Sequence, residues 1–389
     1  MNRRFIPLSV PNLKGKELEY VTHAVETEWV STGGPYVNEF EEKVAQYVKA
    51  KGAVSCQNGT SGLHIALQVC EVTKEDEVIV PALTFIAAVN PVKYIGAEPV
   101  FMDCDDSLTM DPVKLLEFCN NECNFVDGKL INNKTMKHIK AIVVVHVFGN
   151  IADMEKIMKV ADHYNLKVVE DATEAIGTYY ISGRYTGKYA GTIGTIGVYS
   201  FNGNKIITTG GGGMIVSNDE ELLKKSKHLT TQAKSDELYY THDEIGYNYR
   251  MTNLQAALGL AQLEQLEKFI DIKKENYILY KERIKDIHGL SILNFNDNIR
   301  SNYWFYALEC NNEYPMNRDE IIKYLATKNI QSRPIWGLIS EQIPYVECQT
   351  YKIEKAKYYI ERIVNIPCSS NLAKEDLLYV VECLKNQQQ

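Results

Sequence analysis

The sequence predicts an α/β protein with a mainly parallel central sheet, helices on both faces, and a smaller C-terminal α+β domain. Between about residues 52 and 217, short apolar runs alternate with helical patterns, the order that builds strand-helix-strand units. Several of these runs, Ala141-Ile-Val-Val-Val above all, are continuously apolar, as in parallel strands buried on both faces. Beyond Tyr280 the regular alternation gives way to a mixture of strands and helices, which sets the C-terminal region apart.

A strand at 78–82 leads into a helix at 86–94 and a strand at 99–102. After a polar excursion at 119–140, a strand at 141–146 precedes a helix at 153–164 and a strand at 166–171. The strand-like stretch 196–201 ends the series. A long helical pattern from 253 to about 280 leads out of this domain. The remainder carries a strand at 303–308 and helices at 318–328 and 374–384. The large domain is placed at 1–265 and the small one at 266–389, with no repeat or low-complexity segment beyond the glutamine tail at 387–389.

With 389 residues, 45% hydrophobic and 24% charged, the chain has an ordinary globular composition and length for two domains. The net charge of -8 and the absence of any Lys/Arg block argue against a nucleic-acid partner. An anionic substrate must then be held by local donors, not by the field of the whole protein. Nine cysteines lie scattered without a Cys-x-x-Cys pair, and no histidine cluster completes a metal site. They read as reduced thiols, and no metal is expected. The N-terminus is basic but has no apolar signal core, and no stretch approaches the roughly 18 apolar residues of a membrane span. A soluble, cytoplasmic protein is expected.

Three groups carry chemistry. Asn58-Gly59-Thr60-Ser61-Gly62 opens a helix; glycine lets a ligand approach the backbone, and first-turn amides and hydroxyls form an anion cradle. An ordinary N-cap with a glycine turn explains the same residues. Glu170-Asp171 ends a buried apolar strand, where a carboxylate needs a cation or backbone amides. Ser200-Phe201-Asn202-Gly203-Asn204-Lys205, followed by Gly210 to Gly213, places a lysine between apolar segments that draw it inward. A buried amine is costly unless neutral, paired or covalently occupied, and a Schiff base to a carbonyl cofactor is one such use. Phosphate cradle, carboxylate and lysine together match the phosphate, ring nitrogen and aldehyde of pyridoxal phosphate.

With these residues in place, the chain resembles the DegT–DnrJ–StrS family of nucleotide-sugar aminotransferases, a branch of the fold-type-I (aspartate aminotransferase-like) pyridoxal-phosphate enzymes. The resemblance runs through Trp29-Val-Ser-Thr-Gly-Gly-Pro, Asn58-Gly-Thr-Ser-Gly-Leu-His, Pro81-Ala-Leu-Thr-Phe, His146-Val-Phe-Gly, Glu170-Asp-Ala-Thr-Glu-Ala, the Lys205 segment and Gly246-Tyr-Asn-Tyr-Arg-Met. It implies Lys205 as covalent anchor and proton shuttle, Asp171 at the pyridinium nitrogen and Phe85 stacked on the ring. It further implies that Gly59, the amides of Thr60 and Ser61, and the Ser200 hydroxyl hold the phosphate. Asn248 would reach that phosphate from a neighbouring subunit, which implies a homodimer with shared sites. Glu174 stands where family members often carry Gln or His, at the cofactor's ring hydroxyl. Trp29, Arg250, Arg333 and Trp336 resemble substrate-binding positions. The wording is most similar to enzymes of the bacillosamine and legionaminic acid pathways. The implied reaction is amination of UDP-2-acetamido-4-keto-2,6-dideoxyglucose by L-glutamate. A GDP- or dTDP-linked 4-keto-6-deoxy sugar is the alternative, and a non-catalytic cofactor-binding regulator a more distant one.

Overall fold

The computed structural model describes residues 4–236 and 238–387; the first three residues of the basic start, Glu237 and the last two residues of the glutamine tail lie outside it. Seven strands form the core of the large sheet: β1 Gly52–Cys56, β2 Asp76–Pro81, β3 Glu98–Met102, β4 His138–Val145, β5 Lys167–Asp171, β6 Ile196–Ser200 and β7 Gly213–Ser217. Their spatial order is β1-β7-β6-β5-β4-β2-β3. Neighbours from β6 to β3 run parallel, and β7 alone is antiparallel to both of its partners.

Every residue of β2, β6 and β7 is buried, so both faces of the sheet are covered, as the continuous apolar runs predict. The helix Gly59–Val69 packs on β6 and β7, and Glu220–Thr230 on β1 and β7. The parallel arrangement brings the carboxyl ends of β1, β2, β4, β5 and β6 to one edge, where ligands bind in such sheets.

Several local features differ from the sequence expectations. The polar excursion contains an antiparallel hairpin, Cys123–Val126 with Lys129–Asn132, added to the edge of β4. The helical pattern from 253 to 280 divides into Asn253–Leu263 and Leu266–Ile284. The first of these opens with a capping box between Thr252 and Gln255.

A second sheet of four antiparallel strands follows: β8 Leu290–Ile292, β9 Tyr306–Cys310, β10 Arg333–Pro334 and β11 Ile363–Ile366, in the order β8-β9-β11-β10. Two crossings tie it to the large sheet. The N-terminal segment bonds to it through Ile6 N–H to Asn329 O at 2.9 Å and Leu8 N–H to Gln331 Oε1 at 3.0 Å. In return, Thr350–Tyr351 pairs in parallel with β3. The N-terminal segment walls the cleft between the two sheets at Leu8 and Ser9.

Candidate active site

A cavity of about 630 Å³ lies at the carboxyl edge of the large sheet, closed on its far side by the small one. Gly59, Thr60, Phe85, Asp171, Glu174, Ser200, Lys205, Arg333 and Trp336 all line it.

Lys205 is carried by a loop that leaves β6 and folds back on itself. Phe201 N–H donates to Gly212 O and Thr209 N–H to Phe201 O, both at 2.9 Å. A Cβ on Gly212 would sit 2.2 Å from Thr209 Oγ1, so this close return requires glycine. Lys205 Nζ lies 3.5 Å from Glu174 Oε1 and 4.2 Å from the centroid of the Trp304 ring. The indole is itself fixed, its Nε1–H donating to Asn204 O at 2.8 Å.

Asp171 ends β5, buried, and accepts the Thr173 N–H at 3.1 Å. Burial raises its pKa above the ordinary carboxylate range, and the hydrogen bond to Thr173 and the charges of Lys205 and His146 offset the rise only in part. Glu174 accepts the Phe148 N–H at 2.8 Å. Burial pushes its carboxyl up to about 7 despite the neighbouring Lys205.

The helix Gly59–Val69 aims its first turn at the cavity. Of its opening amides, which have no intrahelical acceptor, Ser61 donates to Asn58 Oδ1 at 2.8 Å and Gly62 to Asn58 O at 3.1 Å. The amides that face the cavity are therefore those of Gly59 and Thr60. The Ser61 amide, expected at the phosphate, is taken in the single chain by the Asn58 side chain as an N-cap. A Cβ on Gly59 would stand 3.0 Å from both Ser200 Cβ and Thr173 Cγ2. Glycine thus keeps open a small anion-sized recess beside the Ser200 hydroxyl. Phe85, 55% exposed, stands at the cavity lip with its ring uncovered.

Pyridoxal phosphate fits this donor set. The recess offers amides and a hydroxyl to a phosphate, the under-compensated Asp171 suits a protonated ring nitrogen, and Lys205 supplies the amine.

Four expected residues do not line the cavity of the single chain, Ser61 among them. Trp29 is 56% exposed, its carbonyl held by Asn253 Nδ2 at 2.7 Å. Asn248 forms a bridge with Thr231. Arg250 has its buried Nε unpartnered among the described residues.

Sequence reasoning missed Trp304, Phe305, Gln331 and Asn365, which also line the cavity, and named Thr84, Phe148, Asn202 and Asn204 only as parts of motifs. Phe148 has φ of 57°, a conformation a bulky residue rarely adopts. It packs against Trp304, Phe305 and Trp336 while its amide holds Glu174.

His146 is fully buried and bonded to Glu170 at 2.8 Å. Among the described residues, no disulfide joins any of the nine cysteines. His228, Asp243 and Glu244 gather at the surface with ligand atoms within 4.8 Å of one another; the ion pairs of His228 with both carboxylates, and of Lys225 with Glu244, account for the cluster. Among the described residues no helix is long and apolar enough to cross a membrane.

The model of the DegT/DnrJ/EryC1/StrS aminotransferase family matches residues 11–385. The chain is 38% identical to a GDP-perosamine synthase of Escherichia coli O157:H7, covering 98% of each. It is 36% identical to that of Caulobacter vibrioides, covering 97% of each. A UDP-4-amino-4,6-dideoxy-N-acetyl-beta-L-altrosamine transaminase of Campylobacter jejuni is 29% identical over 97% of this chain and 96% of its own length. Among solved structures, a DegT DnrJ EryC1 StrS aminotransferase from Brucella abortus superposes with a TM-score of 0.86 at 26% identity, with 95% of each chain covered. The PLP form of a sugar aminotransferase from Streptococcus pneumoniae shares the fold with a TM-score of 0.86 at 24% identity, covering 100% of this chain and 98% of its own. The chain belongs to the DegT/DnrJ/EryC1/StrS aminotransferase family and is a pyridoxal-phosphate-dependent sugar aminotransferase of the fold-type-I class.

Proposed function

We propose that this enzyme moves an amino group from L-glutamate to C4 of a GDP-linked 4-keto-6-deoxy sugar, within surface-polysaccharide synthesis. The chemistry rests on the convergence of Lys205, Asp171 and the Gly59–Thr60–Ser200 recess in one cavity. The nucleotide rests on full-length similarity to GDP-perosamine synthases at 38 and 36% identity. The UDP-linked sugar expected from the sequence wording is supported by a more distant relative at 29% identity, and becomes the second reading.

Bound pyridoxal phosphate supplies an electron sink and a carrier for nitrogen. Gly59 and Thr60 amides and Ser200 Oγ hold its phosphate, Phe85 covers a ring face, and Asp171 holds the proton on the ring nitrogen. Lys205 Nζ would anchor the group and would serve as the base that holds and moves the proton. Glu174, partly protonated near neutrality, takes the side of the ring hydroxyl. Trp304 and Phe148 exclude water from the amine. Asn248 serves the phosphate of a second copy's site, so the working unit is a homodimer. Arg250, Trp29, Arg333 and Trp336 contact the nucleotide sugar.

The test supplies L-glutamate and, in separate reactions, GDP-4-keto-6-deoxymannose, UDP-2-acetamido-4-keto-2,6-dideoxyglucose and a dTDP-4-keto-6-deoxy sugar. Products are read by mass spectrometry and 2-oxoglutarate by a coupled assay. The GDP-linked substrate is expected to give the highest kcat/KM; a preference for the UDP-linked one would replace this reading with the second.

A further inference from the structure

We propose that Asn302 is a positioning residue for proton transfer, its one side chain fixing two groups that stand beside the Lys205 amine. The inference rests on the role of Lys205 proposed above and deepens it. Glu174 Oε1 lies 3.5 Å from Lys205 Nζ, and the Trp304 ring centroid 4.2 Å from it. Asn302 is fully buried and, unlike those two residues, does not line the cavity. No ligand there touches it, so any effect it has on the chemistry passes through its neighbours.

Those neighbours are Glu174 and Trp304. Asn302 Nδ2 donates to Glu174 O at 2.9 Å and to Ile176 O at 3.0 Å, and its Oδ1 accepts the Trp304 N–H at 3.0 Å. Two carbonyls at one end and an N–H at the other leave a single orientation for the amide, with both of its hydrogens used. The asparagine is itself held from behind. Its N–H donates to Thr178 Oγ1 at 3.0 Å, and that hydroxyl donates to Gly149 O at 3.0 Å. A Cβ on Gly149 would meet Asn302 Oδ1 at 1.9 Å, so the turn that carries Phe148 packs directly on the amide.

Each of the two groups is then anchored at more than one point. The Glu174 carboxyl accepts the Phe148 N–H while its carbonyl is held by Asn302. Trp304 is held at its N–H by Asn302, at its carbonyl by Lys273 Nζ at 3.1 Å, and at its indole by Asn204 O. Asn302 is the member common to both sets, and so sets the carboxyl and the indole relative to each other. Reaction geometry is steep in position, a misplacement of about 1 Å costing about 100-fold. Loosening Asn302 should slow the step in which Lys205 takes the Cα proton of L-glutamate. It should spare cofactor binding, whose proposed contacts lie at Gly59, Thr60, Ser200 and Asp171.

The experiment compares cofactor-loaded wild type, Asn302→Ser and Thr178→Val. Bleaching by L-glutamate is followed in single turnovers, with protium or deuterium at Cα. Cofactor affinity is measured by equilibrium dialysis, and thermal melting identifies the folded variants. Asn302→Ser should lower the maximal bleaching rate about 10- to 100-fold, with a deuterium isotope effect no smaller than that of wild type. The cofactor Kd and the glutamate concentration at half-maximal rate should stay within about threefold. Thr178→Val keeps the shape of the side chain but frees the Asn302 N–H; it should show the same pattern more weakly, and carries the test if Asn302→Ser does not fold. An unchanged bleaching rate in the folded variant would overturn the role of Asn302. So would a loss in which the isotope effect collapses towards one or the cofactor loosens in proportion, the marks of a merely structural role. Wild type that L-glutamate does not bleach would instead refute the proposed function itself, and the inference with it.

Discussion

Lys205 Nζ and Glu174 Oε1 stand 3.5 Å apart at the floor of the cavity, a lysine and a buried glutamate with the Trp304 ring closing over the amine. The lysine stabilises the carboxylate, yet burial wins and Glu174 titrates at about 7.

That shift makes stability depend on pH. Glu174 binds its proton more tightly folded than unfolded, so its contribution is fully present below the ordinary value of 4.5 and is lost as pH rises through about 7. The span corresponds to roughly 3 kcal/mol. Cofactor-free wild type should lose melting temperature between pH 5 and pH 8 relative to Glu174→Gln, whose amide does not titrate. Asp171 shifts in the same direction but is common to both proteins. Parallel curves for the two would contradict the assignment.

Gly59 is the second point of leverage. A methyl group there meets Ser200 Cβ and Thr173 Cγ2 at 3.0 Å, inside normal contact. Gly59→Ala should fill the phosphate recess, weakening pyridoxal phosphate by about tenfold or more and destabilising the fold by about 1–3 kcal/mol. Equilibrium dialysis against the cofactor and thermal melting read the two effects separately.

Asn248 lies away from the cavity of its own chain, bridged to Thr231, and acts across the dimer in this account. Lys205→Ala and Asn248→Ala homodimers should each be impaired, the first by at least about a thousandfold. Mixed under subunit exchange, they should recover up to about one quarter of the wild-type rate, since half the dimers would be mixed and hold one intact site of two. Exchange confirmed by mass without recovery would place Asn248 outside the neighbour's site.

The fold was legible where burial is uniform. Strands such as β2 and β4 are covered on both faces, so their apolar runs announce them without regard to the rest of the chain. The break between Leu263 and Leu266 was not legible, because the helical pattern continues across it and the change of direction is set by tertiary packing. Strand β7 was hidden for another reason: it begins on the last glycine of the run, Gly213, and reads as its continuation. In the site, Asp171, Ser200 and Lys205 were readable because each ends or follows a strand of the large sheet. Asn365 and Trp304 were not, since they enter from the small sheet and its approach, far away in sequence, and only the folded chain brings them to the cavity that holds Lys205. Phe148 was present in a quoted motif, but its strained backbone and its bond to Glu174 are properties of the fold alone.

The most direct test of the central claim is the visible absorption of the purified, cofactor-loaded enzyme before and after L-glutamate, with borohydride trapping and peptide mapping. A yellow protein that bleaches with glutamate and carries the reduced adduct on Lys205 is the predicted result. An adduct on another lysine, or a protein that stays colourless with added pyridoxal phosphate, would contradict the assignment of this cavity.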